Sequence, residues 1–445
     1  MLNRKIYNYI KKYFEQGSER VLIIDGARQI GKSYAIRYVG KAMFKNYLEI
    51  NLLQDRQGAG LFEQAKTVQD FYLQLGMLAG NKMGNKENTL VFLDEIQEYP
   101  HLLTLLKFLR QENRFTYIAS GSLLGVTLAQ TVSIPIGSIE VKHMYPMDFE
   151  EFLWANGVGE ESVGILRQKF ENRESLDEPT HLQMMDFFKK YLLTGGLPAA
   201  VKAFVQTQNI VKVRDIQKEI HHYYALDAAK YDFEHKLKIK RIFEMIPSTL
   251  ENKKKRVVVK DIENKQGKRF SNYQEEFDYL VNAGIALEVR AVSNPVFPLT
   301  ETSGKNLLKL YLNDVGLLTQ ILYGTNIRAV LDTQNSVNLG SVYECAVACE
   351  LRAHGFNLFY YDNKTKGEVD YLIDDFNTLS VMPIEVKSGK DYTVHSALNH
   401  FVNNGDYPVK TAYVLSNEQQ IKQKGKVLYM PVYNVMFLDI QVRQE

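Results

Sequence analysis

The sequence predicts an α/β protein built from four consecutive segments, and three observations lead to this fold class. The chain has 445 residues, whereas a single hydrophobic core seldom serves more than about 250–300 residues. Residues 1–150 alternate short apolar runs with helix-period stretches, which is typical of a parallel sheet covered by helices. After residue 150 the pattern becomes helical, and it returns to α/β near the C-terminus.

The first segment, residues 1–150, is predicted to hold five strands with helices between them. The strands are Arg20–Asp25, Asn46–Asn51, Thr89–Asp94, Phe115–Ser120 and Ser138–His143, and two helices are Lys32–Ala42 and His101–Glu112. Strands that are apolar throughout are expected where both faces of a parallel sheet are buried.

A helical segment is predicted for residues 151–234. A charged connector is expected at Gly157–Glu178, and a helix at Leu182–Leu193. Gly195 and Pro198 follow this helix, which is where a glycine and a proline are expected to end it.

Residues 235–330 follow the element order of a winged helix, a variant of the helix-turn-helix. The predicted helices are Leu237–Met245, Val259–Asn264 and Tyr273–Ala283, and the predicted strand pair is Ile285–Val292 with Leu307–Leu312. The last segment, residues 331–445, is expected to be a smaller α/β domain.

Composition restricts the class of protein. Hydrophobic residues make up 45% of the chain and charged residues 24%, as in ordinary globular proteins, so extended disorder is excluded. The apolar runs are far shorter than the roughly 18 residues of a membrane-spanning helix. Two cysteines cannot form a disulfide framework, so we expect a cytoplasmic protein without a membrane partner.

A phosphate-binding loop is predicted where the first strand meets the following helix. Gly26-Ala27-Arg28-Gln29-Ile30-Gly31-Lys32-Ser33 matches the pattern G-x-x-x-x-G-K-[ST]. Its glycines let successive N–H groups point at phosphate oxygens, and the helix N-terminus adds partial positive charge. We expect Lys32 to reach the β and γ phosphates of ATP and Ser33 to supply a ligand to Mg²⁺.

Polar residues at two further strand ends are predicted to complete this site. Asp94 and Glu95 follow the apolar run Leu90–Leu93, and Ser120 ends the next strand. Because ligands bind at the carboxyl edge of parallel sheets, we expect Asp94 to hold Mg²⁺, Glu95 to polarise the attacking water and Ser120 to sense the γ phosphate. The alternatives are that the two acids cap a helix and that the serine only ends its strand.

These motifs resemble a family of bacterial and archaeal AAA+-type ATPases. The motifs that carry the likeness are the loop at 26–33, Asp94-Glu95-Ile96-Gln97, Ser120-Gly121-Ser122, Gly195-Gly196-Leu197-Pro198 and Lys309–Leu318. The resemblance implies a nucleoside triphosphatase with an AAA+ sheet order, a helical lid after the core and a C-terminal domain of uncertain role.

A second set of site residues is predicted in the C-terminal segment. Glu344 lies on a predicted helix, Asp370 begins a predicted strand, and Glu385 and Lys387 alternate on the next strand, so they share one face. Carboxylates on neighbouring strands beside a lysine could hold one or two divalent ions for attack on a phosphodiester. The alternative is a hairpin with a surface salt bridge between Glu385 and Lys387.

This second set resembles the restriction-endonuclease-like PD-(D/E)XK superfamily. The resemblance implies that Asp370 and Glu385 are metal ligands, that Lys387 assists the nucleophile and that Glu344 supports the metal from its helix. Val369 stands before Asp370, where proline is common in the superfamily. The helix after Lys387 lacks an obvious further catalytic residue, so the resemblance implies the fold more firmly than cleavage.

The net charge of the chain is only +2, which does not by itself indicate a nucleic-acid partner. The prediction of DNA contact therefore rests on a local cluster of basic residues. The basic run in the winged-helix segment comprises Lys253, Lys254, Lys255, Arg256, Lys260, Lys265, Lys268 and Arg269. Such a run can neutralise backbone phosphates. A solvated surface or a protein-docking surface is the alternative.

The sequence therefore predicts an ATP-binding and ATP-hydrolysing protein that acts on DNA or is regulated with it, with a candidate metal-dependent nuclease at the C-terminus. The alternative is a nucleotide-dependent switch or adaptor whose C-terminal domain is catalytically inactive. A small-molecule kinase is less consistent with the sequence, because Asp94 and Glu95 suit water activation. An oligomer is compatible with the resemblance.

Overall fold

The computed structural model describes residues 2–80, 84–122, 137–228, 236–263, 267, 269–299, 307–332 and 337–440. The chain divides into two units, which are Asn3–Tyr145 with Asn282–Gly284, and Pro146–Val281 with Ile285–Glu445. Lys265 and Lys268 of the basic run lie outside the described residues.

A five-stranded parallel sheet forms the centre of the first unit. Its strands are β1 (Val21–Asp25), β2 (Asn46–Asn51), β3 (Thr89–Asp94), β4 (Thr116–Gly121) and β5 (Ile139–His143). The helices of this unit are Lys5–Gln16, Lys32–Met43, Leu52–Gln57, Val68–Ala79 and Pro100–Glu112, with a 3-10 helix at Ile96–Glu98. The predicted strands and helices of this segment are confirmed, with bounds that differ by no more than one residue.

The strand order β2-β3-β4-β1-β5 determines which residues meet at the edge of this sheet. β1 and β3 are buried along their whole length, and Val21, Ile23 and Leu93 pack in a cluster with the leucines of Pro100–Glu112. Because β4 lies between β1 and β3, the carboxyl ends of these three strands are neighbours. Crossovers of this kind leave a crevice at the carboxyl edge, where α/β proteins bind ligands.

An eight-stranded mixed sheet runs through the second unit in the order β12-β13-β11-β10-β9-β8-β6-β7. The strands are β6 (Ala286–Val292), β7 (Leu308–Leu312), β8 (Phe359–Asn363), β9 (Gly367–Asp375), β10 (Ser380–Val386), β11 (Ala412–Ser416), β12 (Lys422–Lys424) and β13 (Val427–Pro431). A hydrophobic cluster on this sheet includes Leu372, Val381, Val414 and Phe401.

The helices after residue 145 are Phe149–Ala155, Glu160–Glu171, Glu178–Thr194, Pro198–Thr207, Ile210–Ala228, Lys236–Leu250, Val259–Glu263, Gln274–Asn282, Val315–Tyr323, Arg328–Leu331, Gly340–Ala353 and Ser396–Val402, with 3-10 helices at Phe270–Tyr273 and Val432–Phe437. Within the described ranges, no helix has the length and apolar character that crossing a bilayer requires.

The connector predicted at Gly157–Glu178 is wrong over most of its length, because the helix Glu160–Glu171 lies there. Its first turn carries Glu160 and Glu161, and acidic side chains are favourable near the positive end of a helix dipole. Only Val163 of this helix is buried. A helix that is mostly exposed and rich in charged residues is easily taken for a charged loop.

The helix and strand order predicted for residues 235–330 is present, but its strands belong to a larger sheet. β6 pairs antiparallel with β7, as expected for the strand pair of a winged helix. β6 also pairs in parallel with β8 of the C-terminal segment. An isolated strand pair leaves unpaired N–H and C=O groups along each edge, and β8 pairs with Arg290–Val292 of β6.

Two of the quoted motifs meet at the buried carboxylate of Asp314. Its oxygens accept hydrogen bonds from the backbone N–H groups of Gly196, at 2.6 Å, and Leu317, at 3.0 Å. A Cβ at Gly195 would lie 2.1 Å from Asp314 Oδ1, and a Cβ at Gly196 would lie 1.9 Å from the carbonyl oxygen of Met147. Both glycines are therefore required by close approach, and Asp314 joins two helix ends that are distant in the sequence.

Replacing Asp314→Ala should lower the free energy of unfolding by about 2 kcal/mol or more, because two buried N–H groups lose their acceptors. Urea unfolding followed by circular dichroism measures this change. The matched control is Asp406→Ala on the exposed surface, which should change stability by less than about 0.5 kcal/mol. Equal stabilities for the two variants would contradict the role given to Asp314.

Candidate functional site

The loop at residues 26–33 has a backbone that two glycines make possible. Gly26 has φ 139° and Gly31 has φ 95°, a region that other residues rarely adopt. A Cβ at Gly26 would also lie 2.2 Å from the carbonyl oxygen of Met144. Gly31 precedes the helix Lys32–Met43 directly, so the free N–H groups at the start of this helix belong to the loop.

Lys32 lies inside this loop. Its side chain is buried, and Nζ donates to the carbonyl oxygens of Gly26, at 2.9 Å, and Ala27, at 2.7 Å. Burial lowers the pKa of Lys32, while the charges of Glu95, Asp25 and Asp94 oppose this shift. The ammonium group is thus held against the carbonyl oxygens of the loop itself.

Asp94 joins the loop to the ends of two neighbouring strands. Its Oδ1 accepts a hydrogen bond from Ser33 Oγ at 2.8 Å and another from Ser120 Oγ. Its Oδ2 accepts from Asn51 Nδ2 at 3.2 Å. Burial raises the pKa of Asp94, and the hydrogen bonds from Ser120 and Ser33 oppose this shift. The structure therefore brings together the three residues that the sequence predicted for this edge, Ser33, Asp94 and Ser120.

Glu95 is held in place by residues that the sequence analysis did not assign to the site. Glu95 has φ 58°, and its Oε2 accepts from Gln97 Nε2 at 2.5 Å and from Ser122 Oγ at 3.2 Å. The backbone N–H of Ser122 donates to Gln97 Oε1 at 3.2 Å. Gln97 and Ser122 belong to the quoted motifs Asp-Glu-Ile-Gln and Ser-Gly-Ser, so the available signal was the co-occurrence of these motifs.

Arg4 and Asn51 are two further contributors that the sequence analysis missed. The guanidinium of Arg4 is buried and donates to the carbonyl oxygens of Ile30, at 3.0 Å, and Tyr145, at 2.8 Å. Asn51 stands opposite Asp94 in the β2–β3 register. Its position at a strand end was a usable signal, whereas nothing near Arg4 in the sequence indicates the loop.

The remaining loop residues differ in their exposure. Ala27 and Ile30 are buried, Arg28 is partly buried and Gln29 is exposed with φ 63°. Their predicted contacts to ATP are made through backbone N–H groups, so these side chains need not face the nucleotide.

The four residues predicted in the C-terminal segment line one cavity. Its volume is about 380 Å³, and Glu344, Asp370, Glu385 and Lys387 contribute to its walls. Glu344 lies on the helix Gly340–Ala353, Asp370 on β9 and Glu385 on β10. The prediction that these residues lie close together is thus consistent with the fold, whereas a plain surface salt bridge is not, because Glu385 is buried.

Each carboxylate of this cavity already has a partner within the protein. Asp370 Oδ2 accepts from the backbone N–H of Val386 at 2.8 Å, and Glu385 Oε1 accepts from Lys387 Nζ at 2.8 Å. Burial raises the pKa of Asp370 well above its ordinary value, and the charges of Glu385 and Glu344 add to this shift. Burial also raises the pKa of Glu385, against the effect of Lys387.

Glu344 is bound by two groups that the sequence analysis did not place here. Lys255 Nζ donates to Glu344 Oε1, and Tyr311 Oη donates to Oε2 at 2.9 Å. Lys255 belongs to the basic run that was predicted to contact DNA, with a solvated surface as an alternative. Its side chain is mostly buried against Glu344, so the solvated alternative does not describe this residue. Its neighbours Lys253 and Lys254 are exposed.

The side chains of Glu344, Asp370 and Glu385 do not form a ready-made metal site. Across the part of the chain that the structure describes, no group of three or more His, Cys, Asp or Glu side chains is arranged to hold a metal ion. The role of Glu344, Asp370 and Glu385 as metal ligands therefore stays a prediction.

Replacing Asp94→Asn should remove a pH-dependent cost of folding. Burial raises the pKa of folded Asp94, so the folded protein retains a proton that the unfolded chain releases. The stability that this proton contributes at low pH is therefore lost as the pH rises above about 4. The melting temperature of the variant minus that of the wild type should therefore increase as the pH rises from about 4, measured without nucleotide or Mg²⁺. A difference that is flat or falls with pH, like that expected for the exposed control Asp406→Asn, would contradict the buried environment of Asp94.

Three known protein families match separate parts of this chain. A family described as an AAA domain matches residues 18–153. Two families described as domains of unknown function, DUF8612 and DUF4143, match residues 185–328 and 339–435. No curated protein matches the chain significantly.

Several solved structures are similar to this chain at low sequence identity. A Walker-type ATPase of Pyrococcus abyssi is 12% identical over 72% of this chain and 95% of its own, with a TM-score of 0.45. The Thermotoga maritima RuvB Holliday junction branch migration motor is 12% identical over 64% of this chain and 89% of its own, with a TM-score of 0.31. The S. cerevisiae Hsp104–ADP complex is 13% identical over 63% of this chain and 37% of its own, with a TM-score of 0.29.

The family match at residues 18–153, the parallel sheet and the glycine-dependent loop agree with one another. This part of the chain therefore matches the AAA domain family in sequence and has the parallel sheet and phosphate-binding loop of a P-loop fold.

Proposed function

We propose that this protein binds ATP with Mg²⁺ and hydrolyses it at the loop of residues 26–33. The observation that carries the proposal is the 2.8 Å hydrogen bond between Ser33 Oγ and Asp94 Oδ1. It joins the first turn of the helix after the loop to the acidic end of β3. These are the two places from which a phosphate loop and its metal-binding acid act on one nucleotide.

The residues present fit Mg²⁺ in their chemistry. Mg²⁺ prefers oxygen ligands and keeps several waters, so one hydroxyl and one carboxylate are a suitable protein contribution. Ser33 and Asp94 would hold the ion, which neutralises charge on the β and γ phosphate oxygens when bound.

Lys32 would bind the β and γ phosphates. Its ammonium group is buried, and among the described residues its hydrogen-bond partners are the neutral carbonyl oxygens of Gly26 and Ala27. Charge-assisted hydrogen bonds to phosphate are about twice as strong as neutral ones. Exchange of the carbonyl partners for phosphate oxygens is therefore favourable.

Glu95 would orient and polarise the attacking water. Gln97 and Ser122 hold its Oε2, which limits the rotation of the carboxylate and supplies the positioning on which phosphoryl transfer depends. Ser120 donates to Asp94 Oδ1, so we propose that it senses the γ phosphate through Asp94.

Two variants separate binding from hydrolysis. Lys32→Ala should abolish tight ATP binding, because the buried cation is lost. Glu95→Gln should retain binding and lower the hydrolysis rate about 100-fold or more, which is the usual contribution of a general base. Fluorescence titration with a labelled ATP analogue measures binding, and phosphate release measures hydrolysis.

The control for charge removal is Lys45→Ala on the exposed surface, which should bind and hydrolyse ATP like the wild type. Wild-type hydrolysis by Lys32→Ala would refute the proposed site. Wild-type hydrolysis by Glu95→Gln would refute only the role of Glu95.

We further propose four functional segments within the chain: an ATPase core at 1–150, a helical lid at 151–234, a winged helix at 235–330 and a restriction-endonuclease-like domain at 331–445. The exposed members of the basic run, including Lys253, Lys254 and Arg269, would contact DNA phosphates. Cytoplasmic location and assembly into an oligomer belong to the same proposal.

A second candidate function is metal-dependent cleavage of DNA by the C-terminal segment. The observation that favours it is the cavity in which Glu344, Asp370, Glu385 and Lys387 meet from one helix and two strands. Carboxylate oxygens are the ligands that Mg²⁺ and Mn²⁺ prefer, and Lys387 lies beside Glu385, where it would assist the nucleophile.

Incubation with plasmid DNA and Mn²⁺ or Mg²⁺ should produce nicks with the wild type and at least 100-fold fewer with Asp370→Ala, because loss of a metal ligand removes the activated water. Lys387→Met is the second variant and should also lose cleavage, and Asp406→Ala should cleave normally. No cleavage by the wild type with either metal, with or without ATP, would refute the nuclease and support the adaptor alternative.

A further inference from the structure

Arg4 contacts the nucleotide loop of residues 26–33 from outside the loop. Its guanidinium is buried, and Nη1 donates to the carbonyl oxygen of Ile30 at 3.0 Å, while Nη2 donates to that of Tyr145 at 2.8 Å. A guanidinium carries its N–H groups in a planar, fixed fork. One side chain therefore holds two carbonyl groups, from different parts of the first unit, in one orientation.

The helix that follows Arg4 fixes its position. Arg4 directly precedes the helix Lys5–Gln16, and the backbone N–H of Tyr7 donates to the carbonyl oxygen of Arg4 at 3.1 Å. Near the other end of this helix, Tyr13 Oη accepts from the backbone N–H of Leu22 at 3.1 Å. The helix is thus tied to the beginning of β1, while Arg4 reaches the loop that follows the end of β1.

The bond to Ile30 determines where the next N–H group points. The peptide group between Ile30 and Gly31 is trans, and in a planar trans peptide the C=O and the N–H point in opposite directions. The N–H of Gly31 therefore points away from Arg4. Within the described residues this N–H has no hydrogen-bond partner. An unpaired N–H at the start of a helix is a donor for an anion.

The charge of Arg4 strengthens this donor. Hydrogen bonds in a chain polarise one another, so a cation at the Ile30 oxygen makes the N–H on the opposite side of the same peptide group a stronger donor. Loss of Arg4 would release this peptide group, and a carbonyl oxygen turned toward bound phosphates would repel them.

We infer that Arg4 is a positioning residue of the nucleotide loop, which holds the peptide group between Ile30 and Gly31 so that the Gly31 N–H binds a phosphate oxygen of the nucleotide. This inference rests on the proposed function, because it assumes that the loop binds nucleotide. It adds to that function a residue outside the phosphate-loop pattern, which acts through the backbone.

The first test is ADP binding to the full-length protein with Mg²⁺, measured by calorimetry at a temperature where circular dichroism shows that all variants are folded. Arg4→Gln should bind ADP about 10-fold or more weakly than the wild type, because a hydrogen bond to a charged group contributes strongly to affinity. Lys12→Gln removes an exposed charge from the same helix and should bind ADP like the wild type.

The amide signal of Gly31 separates positioning from a general loss of stability. Ile–Gly pairs occur in the sequence at 30–31 and 136–137, so ¹³C labelling of isoleucine carbonyls with ¹⁵N labelling of glycine selects the amides of Gly31 and Gly137. In the wild type, saturating ADP with Mg²⁺ should shift the Gly31 amide proton downfield and leave that of the exposed Gly137 unchanged. In Arg4→Gln at saturating ADP, the Gly31 shift should be less than half as large.

Arg4→Lys keeps a buried cation without the fork that holds both carbonyl oxygens. It should show an affinity and a Gly31 shift between those of the wild type and Arg4→Gln, and it serves as the test variant if Arg4→Gln does not fold.

Wild-type ADP affinity and a wild-type Gly31 shift in Arg4→Gln would overturn the role of Arg4 and leave the nucleotide site standing. Weaker binding with an unchanged Gly31 shift at saturation would also overturn it, since Arg4 would then support the fold and not this peptide group. Absence of ADP binding by the wild type would refute the proposed function and this inference with it.

Discussion

The hydrogen bond between Ser33 and Asp94 is the contact on which the proposed activity depends. β1, β4 and β3 are neighbours in the sheet, and the end of β3 meets the first turn of the helix that follows the loop. Ser120, at the end of β4, donates to the same Asp94 oxygen. The site therefore draws its residues from neighbouring strand ends at one edge of the sheet.

Burial gives this edge of the sheet its chemical character. It lowers the pKa of Lys32 and raises the pKa of Asp94, so the unliganded fold disfavours the charge on both residues. A polyphosphate with its metal relieves both costs, since each charge then gains an opposite partner in a medium of low polarity. Functional sites often retain such groups at the expense of stability.

Much of the first unit could be predicted from the sequence, because its strands are short, apolar throughout and separated by helix-period segments. The phosphate loop and the strand ends at Asp94 and Ser120 were predictable for the same reason. Arg4 was not, because its contact with Ile30 O joins residues whose relation depends on tertiary packing. Gln97 and Ser122 were visible only as motif residues, because their hydrogen bonds to Glu95 depend on how the end of β4 packs beside the 3-10 helix Ile96–Glu98.

The second unit was predicted less completely, for physical reasons that differ between elements. The helix Glu160–Glu171 buries little apolar surface, so its sequence has the composition of a connector. β6 and β7 were predicted as a pair. The pairing of β6 with β8 joins strands that are far apart in the sequence, and the strand propensities of the residues do not predict it. Lys255 is one of a run of basic residues, and nothing in the sequence distinguishes it from its neighbours. Only the turn that contains it places its charge against Glu344.

The most direct test of the central claim is a crystal structure of the protein with a non-hydrolysable ATP analogue and Mg²⁺. The account predicts phosphate oxygens bound by the backbone N–H groups of residues 26–33, Lys32 Nζ moved from the carbonyls of Gly26 and Ala27 to the phosphates, and the metal between Ser33 and Asp94. Nucleotide bound elsewhere, with Lys32 still on its own loop carbonyls, would contradict it.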